Sequence, residues 1–362
     1  MIKNAVMQTR LTSLFNLSTP IVLAPMALAS GGALAAACAQ AGALGLVGGG
    51  YADLAWTRRE YTLAHELVNQ PGLHKGNGLP EADAASRLGV GFITWKLDED
   101  ASALDWVLSQ PLERRPAAVM LSFGDPRPYA ARIAATGAKV ICQVQRMDQV
   151  PQAVETGAHV IVAQGGEAGG HGANAINGRA TMTFVPELAD WLAMHSPHTL
   201  LLAAGGIADG RTLAASLALG ADGALVGTRL WATSESLAAP GGKQQALATH
   251  GDGTARSDIF DILRCKNWPQ PYDFRAIRND LHRALEGDLA ALRANPHAAR
   301  AIYNAGVLAG DFTKAHATVG EAVGLIHDLP GAASVIKRMT TEARATLHNL
   351  TLKVKTPEVV VN

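Results

Sequence analysis

The residues whose types best suit chemistry lie in one string, Gln164-Gly165-Gly166-Glu167-Ala168-Gly169-Gly170-His171-Gly172, directly after the apolar run Val160–Ala163. A histidine in a glycine-rich loop at a strand end is exposed to the pocket. It is free there to act as acid, base or hydrogen-bond donor near neutral pH. The blander reading makes His171 one of twelve histidines on a floppy loop, but the other eleven fall mostly in helical or polar stretches. Glu167 reads as a hydrogen-bonding structural residue rather than a catalytic one. A second cluster suits an anion. One apolar run ends in Ala203-Ala204-Gly205-Gly206-Ile207, followed by Ala208-Asp209-Gly210 and a helix, and the next ends in Gly227-Thr228-Arg229. Either loop alone is explained by a tight turn. Two such loops one βα unit apart predict a phosphate pocket built from glycine N–H groups and a helix N-terminus.

Other signatures fail. Gly170-His171-Gly172-Ala173-Asn174-Ala175 fits GxGxxA with Asp190 downstream, but Ile176-Asn177-Gly178-Arg179 continues as a turn and not a helix. HExxH, GxSxG and GxxxxGK[ST] do not occur. His195 and His198 are split by Pro197 with no acidic ligand near them, so no metal is expected.

Eight short apolar runs must position these loops: Ile21–Ala24, Ala43–Val47, Leu88–Ile93, Ala117–Ser122, Lys139–Val144, His159–Ala163, Thr199–Ala203 and Gly223–Val226. Helix-like stretches lie between them, among them Gly32–Ala41, Ala101–Ser109, Tyr129–Thr136, Asp148–Thr156, Val185–Met194 and Arg211–Leu219, several stopped by Gly42, Gly137, Gly157 or Gly220. Apolar strands alternating with helices imply a parallel sheet, and eight units in this length suit a TIM (β/α)8 barrel of the α/β class. A doubly wound open sheet is the rival. Residues 1–235 are assigned to the barrel, 236–310 to a smaller, mainly helical substrate-enclosing subdomain, and 311–362 to C-terminal helices packed on the barrel. Gln245–Ala305 reads as polar and helical, interrupted by Trp268, Pro269, Pro271 and Tyr272, with no strand pattern returning afterwards. Gln70–Ser86 reads as a long polar loop at the rim.

Composition agrees. In 362 residues, 48% are hydrophobic and 17% charged, which excludes a disordered or coiled-coil chain. The 31 basic residues cancel 31 acidic ones, so no global field draws nucleic acid or an anionic membrane. Ser18–Ala52 is free of charge, yet Pro20, Pro25 and its glycines divide it into strand, helix, strand and not a membrane span. Cys38, Cys142 and Cys265 are odd in number and widely spaced, which predicts free buried thiols in a reducing compartment. Met1–Phe15 does not read as a secretory signal, and a cytoplasmic protein is expected.

Four strings, PIVLAPMALAS (Pro20–Ser30), GGEAGGHG (Gly165–Gly172), AAGGIADGR (Ala203–Arg211) and GADGALVGTRLWAT (Gly220–Thr233), together resemble the nitronate monooxygenases, formerly called 2-nitropropane dioxygenases. The resemblance implies a flavoprotein with FMN across the strand ends of a TIM barrel. Carried over by position, Ala24, Pro25 and Met26 would lie against the flavin ring. Gly91 and Gln164 would contact the ring or ribityl chain, and Gly169, Gly170, Gly205, Gly206, Gly227 and Thr228 would hold the ribityl-phosphate beside Leu225 and Val226. His171 would be the catalytic histidine. Two positions depart from the pattern: many members have Asn where Gly91 stands, and many have Arg where Gly172 stands. The activity implied is oxidation of alkyl nitronates, and of nitroalkanes in some cases, by O2 to a carbonyl compound and nitrite. Small molecules are the expected partners, without nucleic acid or membrane and with a homodimer left open. Two alternatives stay open: an FMN-dependent NAD(P)H oxidoreductase of the enoyl-carrier-protein reductase or quinone reductase type, and a non-catalytic flavin- or phosphate-binding barrel. Inosine-monophosphate dehydrogenases share AAGGI but need a loop cysteine, and none lies near His171.

Overall fold

In a computed structural model, which describes residues 7–70 and 84–353, the eight apolar runs are all strands. They are β1 (Ile21–Leu23), β2 (Gly45–Gly50), β3 (Leu88–Ile93), β4 (Ala118–Ser122), β5 (Lys139–Val144), β6 (Val160–Gln164), β8 (Leu200–Ala204) and β9 (Gly223–Val226). All pair in parallel, in the order β1-β9-β8-β6-β5-β4-β3-β2. A bridge between Val22 and Leu44 brings the two edges together, with Leu23 N–H donating to Leu44 O at 2.9 Å. The sheet is therefore a barrel and not a doubly wound open sheet.

Strand periodicity divides the core in two. Val22, Leu46, Met120, Ile141, Val162, Leu202 and Leu225 fill the barrel, whose floor is completed by Leu11 and Phe15 of the helix Arg10–Phe15. The alternate residues, including Leu23, Val90, Val119, Val140, Ile161, Leu201 and Val226, pack outward beneath the helices. The helix Ala332–Lys353 closes the outer layer against the helix Gly210–Ala218. Gly210 is required there, because a Cβ on it would lie 2.2 Å from that of Glu342.

The segment after the barrel corrects one expectation. Strands do return: β10 (Thr254–Ser257) and β11 (Tyr272–Ile277) join β7 (Gly170–Ala173) in an antiparallel sheet ordered β10-β11-β7. Tyr272, Phe274 and Ala276 alternate with Asp273 and Arg275 as a strand requires, but the prolines just before them hide that period. The loop carrying His171 is corrected by the same sheet. Its glycines have poor strand propensity, and β11 imposes the pairing from 103 residues away, His171 opposite Phe274. Cys265 is exposed, against the expectation of three buried thiols, whereas Cys38 and Cys142 are buried. Residues 71–83 of the expected rim loop lie outside the described residues. No helix among the described residues is long and apolar enough to cross a membrane.

Candidate active site

The inward-facing series on each strand continues to the C-terminal rim as Ala24, Gly91, Ser122, Gln143, Gln164, Ala204 and Gly227. Large aliphatic side chains give way there to small residues and glutamines, so the packed interior ends in a shallow polar floor. The ring of Pro25 reaches across it: a Cβ on Gly91 would lie 2.3 Å from Pro25 Cγ. An asparagine at position 91 is thus incompatible with this placement of Pro25. Gln164 Oε1 accepts from Gln143 Nε2 at 3.1 Å and from Gln145 Nε2 at 2.9 Å, while its own Nε2 donates to His171 O at 3.0 Å. Gln145 Oε1 is buried with no hydrogen-bond partner among the described residues.

Beside this floor stand the two glycine loops. Asp209 caps the helix Gly210–Ala218 by accepting from Thr212 N–H at 2.9 Å, and Thr212 Oγ1 accepts in return from Asp209 N–H. That box fixes the turn in which Gly205 and Gly206 take φ of +99° and +76°. A Cβ on Gly206 would meet nothing closer than Glu167 Cβ at 3.8 Å, and one on Gly227 nothing closer than Ala24 Cβ at 3.8 Å. Both glycines therefore border open space, and neither N–H has an acceptor among the described residues. Thr228 Oγ1 accepts from Gly320 N–H at 2.9 Å. Arg229 turns away and is buried against Asp328, at 3.2 Å from its carboxylate. Main-chain N–H groups, not an arginine, are thus what this pocket offers an anion. Open glycine cradles and a buried unpaired amide oxygen fit a flat polar ligand carrying a phosphate, as FMN does.

The linking string is clamped from several sides. Glu167 accepts from Thr181 N–H at 2.9 Å and from its hydroxyl at 2.9 Å, the structural role expected of it. Gly169 backs onto Gly320, leaving no room for a side chain at either. Arg256 of β10 donates to Gly166 O and Ala168 O at 3.1 and 3.0 Å and pairs with Asp273 at 2.8 Å. A Cβ on Gly172 would lie 2.6 Å from the Arg256 guanidinium. The Arg256 guanidinium from β10 therefore occupies the space that a side chain at position 172 would enter.

His171 is not the exposed loop histidine expected; its side chain is 9% exposed. One ring face stacks on Trp268, with centroids 3.5 Å apart, and Phe274 lies tilted at 4.7 Å. Nε2 meets Asp261 Oδ2 at 2.9 Å and Oδ1 at 3.1 Å. Nδ1 has no partner among the described residues. Burial pushes the imidazole down to about 4, with Arg264 and Arg256 adding to the effect and Asp261 opposing it, so it is neutral at pH 7.

Of the expected site residues, Ala24, Gly91, Gln164, Gly205, Gly206 and Gly227 meet at one end of the barrel, with Pro25 over Gly91 and Met26 Sδ 3.9 Å from a Cβ built on Gly227. Gly170 opens β7 beside His171. Val226 does not share the floor: its side chain is buried outward, and its carbonyl accepts from Ala24 N–H at 3.0 Å. Leu225 packs into the barrel interior. Asp261 escaped the reading of the sequence, although a carboxylate between Ile259, Phe260, Ile262 and Leu263 is a charge set on a buried face.

The family profile described as nitronate monooxygenase matches residues 8–342. The chain is 30% identical over 357 residues to a nitronate monooxygenase of Neurospora crassa, covering 93% of this chain and 92% of that one. It is 32% identical over 368 residues to one of Metarhizium robertsii, covering 96% and 97%. Among solved structures it resembles FabK from Thermotoga maritima (TM-score 0.76, 25% identity, 96% of this chain and 100% of that one). It also resembles nitroalkane oxidase from Streptomyces ansochromogenes (TM-score 0.72, 25% identity, 94% and 99%).

Proposed function

The chain belongs to the nitronate monooxygenase family, and from that premise we propose that it binds FMN and oxidises alkyl nitronates, and neutral nitroalkanes, with O2 to carbonyl compounds and nitrite. The observation that carries this reading is the neutral, buried His171 attached through Gln164 to the polar floor of the barrel. Bound FMN would supply the electron-transfer chemistry between nitronate and oxygen. The N–H groups of Gly206 and Gly227 would hold its phosphate; Ala24, Pro25, Met26, Gly91 and Gln164 would face its ring and ribityl chain. His171 Nδ1 would accept the α-proton of a neutral nitroalkane, and the C–H electron pair would pass into the C=N bond of the nitronate. A nitronate supplied ready-made needs no such step. Residues 236–310 act in this reading as the enclosure, because Asp261 and Trp268 form the wall behind His171. The unpaired cysteines support a cytoplasmic setting.

The test is the visible spectrum of the purified protein followed by nitrite release from propyl-2-nitronate in air. A protein that neither carries nor takes up FMN overturns the proposal. The string Glu167–His171, which resembles that of enoyl-carrier-protein reductases of the FMN barrel type, supports a second reading, an FMN-dependent NAD(P)H oxidoreductase. Anaerobic mixing with NADH separates the two: rapid flavin bleaching without nitronate turnover favours the reductase.

A further inference from the structure

Behind His171 runs a buried chain of polar groups that the binding of a flavin and a nitronate does not by itself require. Asp261 takes Nε2 of His171 with both carboxylate oxygens, and its Oδ1 also accepts from Arg264 NH2 at 2.9 Å. Arg264 NH1 lies 3.2 Å from His316 Nε2, and His316 Nδ1 lies 2.7 Å from Tyr303 OH. A guanidinium can only donate, so His316 Nε2 must be the lone-pair nitrogen, and Nδ1–H then donates to the Tyr303 oxygen. Burial holds His316 neutral, down to about 3. Arg264 also lies over the ring of Phe274 at 4.4 Å. The contacts thus set the tautomer of His316 and hold the Arg264 guanidinium between His316 and Asp261, and the row ends at His171.

We propose that Asp261 is the positioning residue of His171: it accepts the Nε2–H, fixes that tautomer, and leaves Nδ1 as the basic nitrogen turned toward the substrate. The inference rests on the reading of His171 as the base for neutral nitroalkanes. In that step the α-proton moves to Nδ1, the C–H pair becomes the nitronate π bond, and the new imidazolium is held by its Nε2–H against the Asp261 carboxylate. The charged and titratable groups around the imidazole are Asp261 and Arg264 after β10, Arg256 on β10, and His316. Arg264 cancels the carboxylate charge, so the work of Asp261 is chiefly orientation.

Asp261→Asn is diagnostic because Arg264 dictates how the new amide sits. Its carbonyl stays on Arg264, its NH2 turns to His171 Nε2, and that nitrogen must then accept, which moves the ring proton to Nδ1 and removes the base. Proton abstraction from neutral nitroalkanes is expected to fall roughly 10²–10⁴-fold with flavin content and oxidation of preformed nitronate kept. The independent readout is ¹⁵N NMR of histidine-labelled protein, with the His171 signal assigned from its loss in His171→Asn. Wild-type His171 should be the Nε2–H tautomer and the Asp261→Asn variant the Nδ1–H tautomer. A wild-type Nδ1–H tautomer overturns the proposal even if the Asp261 variant does not fold. So does an Asp261→Asn enzyme with an unchanged rate and pH profile on neutral nitroalkanes. Wild-type protein inactive on both substrates would refute the proposed function, whereas the tautomer measurement would still decide the role of Asp261.

Discussion

Gly206 separates backbone strain from anion repulsion, because its surroundings leave room for a side chain while its conformation disfavours one. At φ +76° any L-residue pays roughly 1–2 kcal/mol for the left-handed region. Space is no obstacle, since a Cβ there is 3.8 Å from its nearest neighbour. Gly206→Ala should therefore lower stability by roughly that amount and still bind FMN, because the N–H is retained. Gly206→Glu carries the same strain and adds a carboxylate where the phosphate would sit. Two unit charges about 5 Å apart repel by about 3 kcal/mol at an effective dielectric of 20, and a phosphate dianion roughly doubles that. Even the smaller figure weakens binding by more than about 100-fold. The assay is the flavin-to-protein ratio after purification, followed by titration of apoprotein against flavin fluorescence and urea unfolding of each apoprotein. Equal FMN affinity in the Ala and Glu variants, with both folded, would show that the phosphate lies elsewhere.

Three further outcomes are expected. His171→Asn should keep FMN and lose roughly 10²–10⁴-fold in deprotonation of neutral nitroalkanes, but much less on preformed nitronate; equal losses would assign the ring to binding the nitro group. Trp268→Leu removes the stacked face at 3.5 Å and lets the imidazole drift, so kcat/KM for neutral nitroalkanes should drop by roughly tenfold or more with flavin retained; unaltered kinetics would make the tryptophan a packing residue alone. His65, His171 and His316 are held neutral by burial, at about 4, 4 and 3, below the ordinary histidine value of 6.5. The unfolded chain then binds more protons than the folded one as pH falls from about 6.5 toward 4, and stability must fall across that window. Urea midpoints at pH 7 and pH 5 measure it, and an equal or higher midpoint at pH 5 would contradict these burials.

What could be read in the sequence was whatever its own neighbours decide. The barrel strands are runs of apolar residues bounded by glycines; from β2 to β9 each pairs with the next run in line, β6 with β8 past the intervening β7, and β1 meets β2 through the Val22–Leu44 bridge. The glycine loops proposed to hold the phosphate were legible for the same reason: Gly205, Gly206 and the Asp209 capping box lie within a few residues of each other. What was hidden depends on partners far along the chain. Asp261 reaches His171 across 90 residues, and β11 makes a strand of a glycine string that no local preference would extend. Gly172 shows the consequence most sharply. Read along the chain, it is one more glycine of a glycine-rich string; read in space, its missing Cβ leaves the room through which Arg256 enters from β10 to hold Gly166 O and Ala168 O.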